Sequence, residues 1–201
     1  YLYTLDYLKD FFKTFGKVFI TVMEPHSDVT LEMLNSLPLV EAKADYISIT
    51  LAAQCFNTEE LSRDTILVMP DKGAAQRYDK LLGDVPHPIL SNLDWISMDK
   101  VRNFKTGQIE SIEFAHEDFA EGLEGLDAII IDDLSSRGGT FLGTAAKLKE
   151  CGVKNVYLVV AHAENAILEG GIPSSDLIKK VYTTDSIIQD NKDIEKIKIF
   201  R

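Results

Sequence analysis

The segment from Ile129 to Thr140 constrains the fold of this chain more than any other part of the sequence. A run of isoleucines ends in two adjacent carboxylates, Asp132 and Asp133, and small or hydroxylated residues then lead into a helix-like segment that begins at Phe141. This order is typical of a strand, a short loop and a helix N-terminus in direct succession. The first N–H groups of such a helix attract an anion, because the helix dipole places partial positive charge there. The sequence therefore predicts an α/β unit with an anion-binding loop.

The same loop offers groups that suit two different parts of one ligand. Gly138 and Gly139 allow close approach of the backbone, and the hydroxyls of Ser135, Ser136 and Thr140 add hydrogen-bond donors. The two carboxylates repel a phosphate, so they face either sugar hydroxyls or a magnesium-bound group. The loop lacks the Gly-Lys-Ser/Thr ending of a P-loop and the spaced glycines of a dinucleotide fold. It therefore predicts a ribose-phosphate site, and the alternative interpretation is a buried strand that ends in a capped turn.

Short β-branched runs alternate with amphipathic stretches, and this pattern predicts an α/β fold with a mainly parallel twisted sheet and helices on both faces. Two neighbouring strands, Trp95–Met98 and Ile109–Phe114, are predicted to form a hairpin arm. No linker rich in Pro or Gly divides the chain, so we expect one domain over residues 1–201. The other predicted strands cover 18–23, 45–50, 65–69, 128–132, 155–161, 180–183 and 196–200, and the predicted helices cover 3–15, 74–82 and 141–151.

Composition excludes several classes of partner. The net charge of -11 argues against nucleic acid, because a phosphate backbone requires a basic surface. No stretch approaches the roughly 20 apolar residues of a membrane span, so no membrane partner is expected. Cys55 and Cys151 have no C-x-x-C spacing, and we expect both to be reduced in a cytoplasmic protein.

Four chemically active loops follow predicted strands, and such loops meet at the carboxyl edge of a parallel sheet. They cover residues 24–26, 70–75, 99–105 and 132–140. The 70–75 loop exposes N–H groups that suit a diphosphate, and its Asp71 can reach Mg²⁺. His26 can ligate a divalent ion or donate to a phosphoryl oxygen, and the basic 99–105 arm can close over a polyphosphate. The bland alternatives are a surface turn, a structural histidine and a solvated hairpin.

Taken together, these segments resemble, in the same order, the carboxyl-terminal half of the ribose-phosphate diphosphokinases, the family that makes phosphoribosyl diphosphate (PRPP). Glu24-Pro25-His26 is similar to the Asp-Leu-His strand end of that family, and Met69–Ala74 to its Ser-Pro-Asp-Ala-Gly-Gly diphosphate loop. Asp99–Arg102 matches the family's Asp-Lys-Arg-Arg arm in three of four places, and Asp132–Thr140 is similar to its ribose-5-phosphate loop. The resemblance covers nearly the whole chain.

The resemblance implies a type I phosphoribosyltransferase-like fold and Mg²⁺-dependent transfer of diphosphate from ATP to ribose 5-phosphate, giving PRPP and AMP. It implies a homo-oligomer (a dimer or a hexamer), magnesium near His26 and Asp71, and catalysis by Lys100, Arg102 and His26. It further implies ribose 5-phosphate at Asp132, Asp133, Ser136, Arg137, Gly138, Gly139 and Thr140, and diphosphate at Asp71, Lys72, Gly73 and Ala74.

The chain departs from the family pattern in its loops. Ser136-Arg137 replaces Asp-Thr in the ribose-phosphate loop, and an arginine there strengthens anion binding. Glu24 replaces an Asp, Val101 replaces an Arg, and the diphosphate loop has two changes, at positions 72 and 74. These changes indicate a divergent branch of the family.

The amino-terminal half of the family has no counterpart in this sequence, which begins with a tyrosine. We therefore expect a longer or processed polypeptide, no adenine site that can be assigned, and a chain that binds ribose 5-phosphate but makes little or no PRPP alone. Two other functions stay open. One is a phosphoribosyltransferase that uses PRPP and a nucleobase, and the other is a non-catalytic regulatory homologue that binds ribose phosphates.

Overall fold

The structure, a computed structural model, describes residues 2–84, 87–102, 109–189 and 195–201. Within these ranges the helices are α1 (Leu2–Lys13), α2 (Val29–Asn35), α3 (Ile47–Thr58), α4 (Lys72–Asp84) and α5 (Gly139–Glu150). The strands are β1 (Val18–Met23), β2 (Val40–Asp45), β3 (Thr65–Met69), β4 (Trp95–Arg102), β5 (Ile109–Phe114), β6 (Asp127–Ser135), β7 (Asn155–Ala163), β8 (Lys180–Thr184) and β9 (Ile197–Phe200). Two compact units divide the chain, Tyr1–Ile47 and Ser48–Arg201.

The first unit contains α1, α2 and a two-stranded sheet in which β1 and β2 pair in parallel along their whole lengths. Asn35, at the end of α2, ties this helix to the sheet: its side-chain N–H donates to the carbonyl of Ala42, and its side-chain oxygen accepts from the N–H of Ala42. The helix predicted at 3–15 and the strand predicted at 18–23 are both confirmed.

The second unit contains a seven-stranded sheet in the order β5-β4-β3-β6-β7-β8-β9. Every neighbouring pair is parallel except β4 and β5, which form an antiparallel hairpin. The predicted mainly parallel sheet and the hairpin arm are therefore confirmed.

Helices cover both faces of this sheet, as predicted. Successive residues of β6 point to opposite faces, so Ile130 belongs to one hydrophobic core and Ile129 to the other. Phe141 of α5 packs in the first core. Leu51 of α3 and Tyr78 of α4 pack in the second.

The strand predicted at 45–50 is wrong. β2 lies earlier in the chain and ends at Asp45, and α3 begins at Ile47. The β-branched residues at 47–50 favour an extended chain, but they continue into Leu51 and Cys55, which lie one helical turn apart and are buried. Burial of this helical face outweighs the weak local preference for a strand.

β6 continues to Ser135, past its predicted end at Asp132. Its parallel pairing with β7 extends to Ser135↔Ala163, so the acidic pair lies within the strand. Adjacent side chains leave a strand on opposite faces, yet at this end of β6 both Asp132 and Asp133 lie within 4 Å of Arg77 on α4.

Both cysteines are free thiols, Cys55 buried in α3 and Cys151 partly exposed at the end of α5. Among the described residues, no helix combines the length and the hydropathy that crossing a membrane requires.

Candidate functional site

The order of the strands creates a crevice at the carboxyl ends of β3 and β6. From β3 the chain passes through α4 to β4 on one side, whereas β6 lies on the other side of β3 and leads into α5. α4 and α5 cover opposite faces of the sheet, so the two loops separate at this point. Open α/β sheets bind ligands where the strand order reverses in this way. Three of the four predicted loops adjoin strands of this sheet: two follow β3 and β6, and residues 99–102 of the third belong to β4.

The loop after β6 consists of residues 136–138, because residues 132–135 belong to the strand and α5 starts at Gly139. Gly138 has a φ of 80° and precedes the helix, and a Cβ atom built on it would lie 2.3 Å from Cδ1 of Ile172. Only glycine fits there, since both its conformation and its space exclude a side chain. Gly139 has no heavy atom within 4 Å of such a Cβ, so α5 has open space beside its first residue. The N–H groups of that turn have no partner within the helix.

The acidic pair lies at the end of β6, and both carboxylates are close to Arg77 of α4. Asp132 lines the cavity described below, whereas Asp133 is buried and forms an ion pair with Arg77 of α4, with a distance of 3.3 Å between Oδ2 and Nη2. Burial is the main cause that raises the pKa of Asp132 to about 7, and the negative charge of Asp133 adds to it. Asp132 therefore takes up a proton close to neutral pH.

Asp71 is the N-cap residue of α4 and also pairs with the hairpin arm. Its Oδ1 accepts a hydrogen bond of 3.0 Å from the N–H of Ala74, and its Oδ2 lies 2.5 Å from Nζ of Lys100. Burial opposes the ionisation of Asp71, but the hydrogen bonds from Lys100 and from the helix N-terminus outweigh it and lower its pKa. The carboxylate is therefore ionised at neutral pH.

The other predicted diphosphate-binding residues lie in the first turn of α4. Lys72 is exposed and forms an ion pair of 3.1 Å with Asp99 on the arm. The N–H groups of Gly73 and Ala74 are directed to the carboxylate of Asp71. Asp71 thus shares with the predicted diphosphate site the N–H groups at the start of α4.

Arg137 of the β6 loop pairs with Glu169 at 3.1 Å, and both side chains are about two-thirds exposed. A pair with that exposure contributes little stability, so the guanidinium is available to exchange its partner for a ligand. A Cβ atom built on Gly170 would lie 2.1 Å from the carbonyl oxygen of Arg137. The backbone of the loop thus packs directly on the segment that follows β7.

For two predicted catalytic residues, Arg102 and His26, the role stays a prediction. Arg102 ends β4, and its side chain and residues 103–108, including most of the predicted basic arm, lie outside the described residues. His26 follows β1 in the first unit, whose sheet is separate from the seven-stranded sheet. Glu24, which precedes it, is buried and has a φ of 49°, an uncommon conformation for a residue with a side chain.

One cavity of about 680 Å³ joins much of the predicted site. Lys100, Asp132 and the whole segment from Ser136 to Thr140 line it. These residues come from the arm, the end of β6 and the start of α5. The remaining lining residues are Glu110, Ser111, Ile112, Leu134, Phe141 and Gly143.

Sequence reasoning missed Arg77 and Glu110. Arg77 follows the buried Ala74 by three residues and precedes the buried Tyr78, so helical spacing places it beside the buried face of α4. A cation at such a position requires a buried anion, and the Asp-Asp pair supplies one. The position of Arg77 relative to Ala74 and Tyr78 was therefore the signal from which its role could have been predicted. Glu110 has no comparable signal, because its place in the cavity depends on the register of the hairpin.

No protein-family model matches the chain. Ribose-phosphate pyrophosphokinase is another name for ribose-phosphate diphosphokinase, and curated proteins with this name match the chain. Ribose-phosphate pyrophosphokinase 1 of Archaeoglobus fulgidus is 30% identical over 144 residues, which cover 69% of this chain and 43% of that protein. The ribose-phosphate pyrophosphokinase of Fusobacterium nucleatum is 28% identical over 182 residues, which cover 90% of this chain and 52% of that protein. The chain thus spans about half the length of the curated relatives it matches.

A solved structure supports the same conclusion about the fold. The phosphoribosylpyrophosphate synthetase of Mycobacterium smegmatis superposes on 98% of this chain with a TM-score of 0.68, at 18% identity and over 59% of its own length. The resemblance predicted from the loops is confirmed: the chain is homologous to the ribose-phosphate pyrophosphokinases and has the fold of a phosphoribosylpyrophosphate synthetase.

Proposed function

We propose that this protein takes part in the Mg²⁺-dependent transfer of diphosphate from ATP to ribose 5-phosphate, giving PRPP and AMP. One observation carries the proposal: a helix N-terminus, a carboxyl group and an ammonium group share one cavity at the reversal of the strand order. The helix N-terminus suits a phosphate, the carboxyl group suits sugar hydroxyls, and the ammonium group suits a polyphosphate. The names of the homologous proteins support the same reaction.

The cavity suits ribose 5-phosphate in size and chemistry. Its volume of about 680 Å³ lies within the range of small-molecule sites. In our proposal the 5-phosphate accepts hydrogen bonds from Ser136, from Thr140 and from the N–H groups at the start of α5, with Arg137 adding a positive charge. Asp132 accepts hydrogen bonds from the ribose hydroxyls, and Asp133 supports it from the buried side of β6.

The diphosphate belongs on the other side of the cavity, near Asp71 and Lys100. No cluster of three or more His, Cys, Asp or Glu side chains able to hold a metal occurs in the described part of the chain. Mg²⁺ is usually held by one or two carboxylates together with substrate phosphates. The ionised Asp71 is the residue of the second unit that would contact it, and His26 is the second predicted ligand. Bound Mg²⁺ would neutralise charge on the polyphosphate.

In the reaction that we propose, the 1-hydroxyl oxygen of ribose 5-phosphate forms a bond to the β-phosphorus of ATP. The bond from that phosphorus to the oxygen bridging the α- and β-phosphates breaks, this oxygen leaves with AMP, and the hydroxyl proton passes to a base or to water. Lys100 would stabilise the charge on the transferred group, as fixed positive charges commonly do in phosphoryl transfer. We propose Arg102 for the same role, and the first turn of α4 (Lys72, Gly73 and Ala74) as the remaining diphosphate contacts.

Two measurements test the proposed function. Thermal unfolding in excess ribose 5-phosphate or PRPP should show stabilisation, by about 2.7 kcal/mol at a hundredfold excess over Kd, whereas ribose alone should have little effect. AMP release that depends on ribose 5-phosphate, ATP and Mg²⁺ tests the transfer itself. Consumption of PRPP with a nucleobase would support a phosphoribosyltransferase instead, and binding without either reaction would support a regulatory homologue. Analytical ultracentrifugation tests the predicted homo-oligomer.

A further inference from the structure

Arg77 connects the two acidic residues of the site from the helix on the opposite side of the crevice. Its Nη1 lies 3.6 Å from Oδ1 of Asp132, and its Nη2 lies 3.3 Å from Oδ2 of Asp133. The three side chains are only 9%, 13% and 12% exposed, respectively. Because little water screens these charges, their positions depend strongly on one another.

The surroundings of Arg77 hold its guanidinium in one place. Its guanidinium carbon lies 5.6 Å from the ring centre of Tyr78, and this ring is completely buried. Although burial opposes the charged form, the carboxylate of Asp133 raises the pKa of Arg77, so it stays a cation. A planar guanidinium can direct one nitrogen to each carboxylate, whereas a lysine ammonium is a single point of charge.

α4 therefore contacts both the diphosphate side and the ribose side of the proposed site. Its cap residue Asp71 holds Lys100, and Arg77, about 9 Å farther along the helix axis, holds the acidic pair. Since a helix is rigid over this length, α4 fixes the spacing between the two sides.

We infer that Arg77 is a positioning residue: by holding Asp133 and Asp132 together, it keeps Asp132 turned toward the cavity for the ribose hydroxyls. In the described part of the chain Asp132 lines the cavity and Arg77 does not. The inference rests on the proposed function, because it requires a ligand with hydroxyl groups in that cavity.

The positive charge of Arg77 also affects the pH at which the acidic pair releases a proton. An ionised Asp132 accepts hydrogen bonds from hydroxyl groups, so ligand binding should release its proton. Loss of the nearby cation should move this proton release to higher pH. The charged groups that face Asp132 or share its cavity are Asp133, Arg77, Asp71, Lys100, Glu110 and Arg137.

The test compares the substitutions Arg77→Lys and Arg77→Gln with the matched control Arg63→Gln, which changes an exposed arginine before β3. Calorimetric titration with ribose 5-phosphate from pH 5.5 to 8.5 gives both Kd and the number of protons released. We expect both Arg77 variants to bind at least about tenfold more weakly, the effect of one lost hydrogen bond to a charged group. In Arg77→Gln the midpoint of proton release should also move to higher pH, because the cation 3.6 Å from Asp132 is lost. The control should match the wild type.

Arg77→Lys decides the question, because it keeps a cation between the buried carboxylates. Wild-type affinity in a folded Arg77→Lys variant, or an equal loss of affinity at every pH in Arg77→Gln, would overturn the positioning role. Failure of Arg77→Lys to fold, as judged by circular dichroism, would also overturn it, since Arg77 would then be needed for the fold. If the wild type itself does not bind ribose 5-phosphate, the proposed function fails first.

Discussion

Nζ of Lys100 lies 2.5 Å from Oδ2 of Asp71, although 29 residues separate the two in the sequence. Lys100 is on β4 and Asp71 caps the helix that follows the neighbouring strand β3, so the parallel pairing of these strands brings them together. The carboxylate holds the ammonium group at the wall of the cavity. A lysine that is already in place there can take a diphosphate as its new partner.

Lys100→Met should weaken the binding of PRPP more than that of ribose 5-phosphate, because only PRPP carries the diphosphate. A hydrogen bond to a charged group contributes about 1.5–3 kcal/mol, so we expect a loss of roughly ten- to a hundredfold for PRPP. Calorimetric titration with each ligand measures this difference. Lys154→Met, an exposed lysine before β7, is the matched control. Equal losses for the two ligands would remove Lys100 from the diphosphate site.

Asp71→Asn should preserve α4 but reduce the effect of Mg²⁺ on PRPP binding. Asparagine caps a helix about as well as aspartate, whereas Asp71→Ala should lose about 1 kcal/mol of stability with the cap. We expect Mg²⁺ to tighten PRPP binding in the wild type and to do so much less in Asp71→Asn. His26→Ala tests the second predicted ligand in the same titration. An undiminished response to Mg²⁺ in both variants would show that the metal assignment is wrong.

Gly138→Ala should destabilise the fold by about 2–5 kcal/mol. The left-handed conformation costs about 1–2 kcal/mol for any other residue, and overpacking against Ile172 adds about 1–3 kcal/mol. Gly139→Ala is the matched comparison, because its methyl group meets no atom and should leave stability unchanged. The same methyl group should weaken ribose 5-phosphate binding, since it occupies space at the start of α5. Urea unfolding checks the first expectation; a Gly138→Ala variant as stable as the wild type would contradict it.

The raised pKa of Asp132 makes a specific prediction for stability. Its folded-state pKa of about 7 exceeds the ordinary value near 4. The contribution of Asp132 to the stability of the fold is therefore fully present below about pH 4 and is lost as the pH rises through 7. Relative to Asp132→Asn, the free energy of unfolding of the wild type should fall by up to about 1.4 kcal/mol per pH unit between these limits. Urea unfolding of both proteins from pH 4.5 to 8 measures the difference. A difference that does not change with pH would show that Asp132 ionises normally.

Much of this fold could be predicted from local patterns, and the errors have physical causes. The buried run of β6 and the helix start after Gly138 are visible in the sequence, because apolar spacing and glycine leave strong signals. The strand predicted at 45–50 was wrong because burial of Leu51 and Cys55 determines the helix there. The separate sheet of β1 and β2 depends on strand pairing, which no local pattern specifies.

The chemistry of the site was visible in residue types but not in their geometry. Both carboxylates of the Asp-Asp pair were predicted to contact the ligand, and this stays a prediction; their shared partner Arg77 was not predicted. The pairing of Asp71 with Lys100 requires β3 and β4 to be neighbours, and sequence spacing cannot give that. The roles of His26 and Arg102 remain predictions.

The measurement that tests this account most directly is a calorimetric titration of the chain with ribose 5-phosphate, ribose and inorganic phosphate in parallel. We expect one site per chain that binds ribose 5-phosphate at least about tenfold more tightly than either part alone, because Asp132 and the start of α5 each add a charge-assisted hydrogen bond. Asp132→Asn should remove most of the advantage over inorganic phosphate. Equal affinity for ribose 5-phosphate and inorganic phosphate, or no saturable binding of ribose 5-phosphate, would contradict a ribose-phosphate site in this cavity.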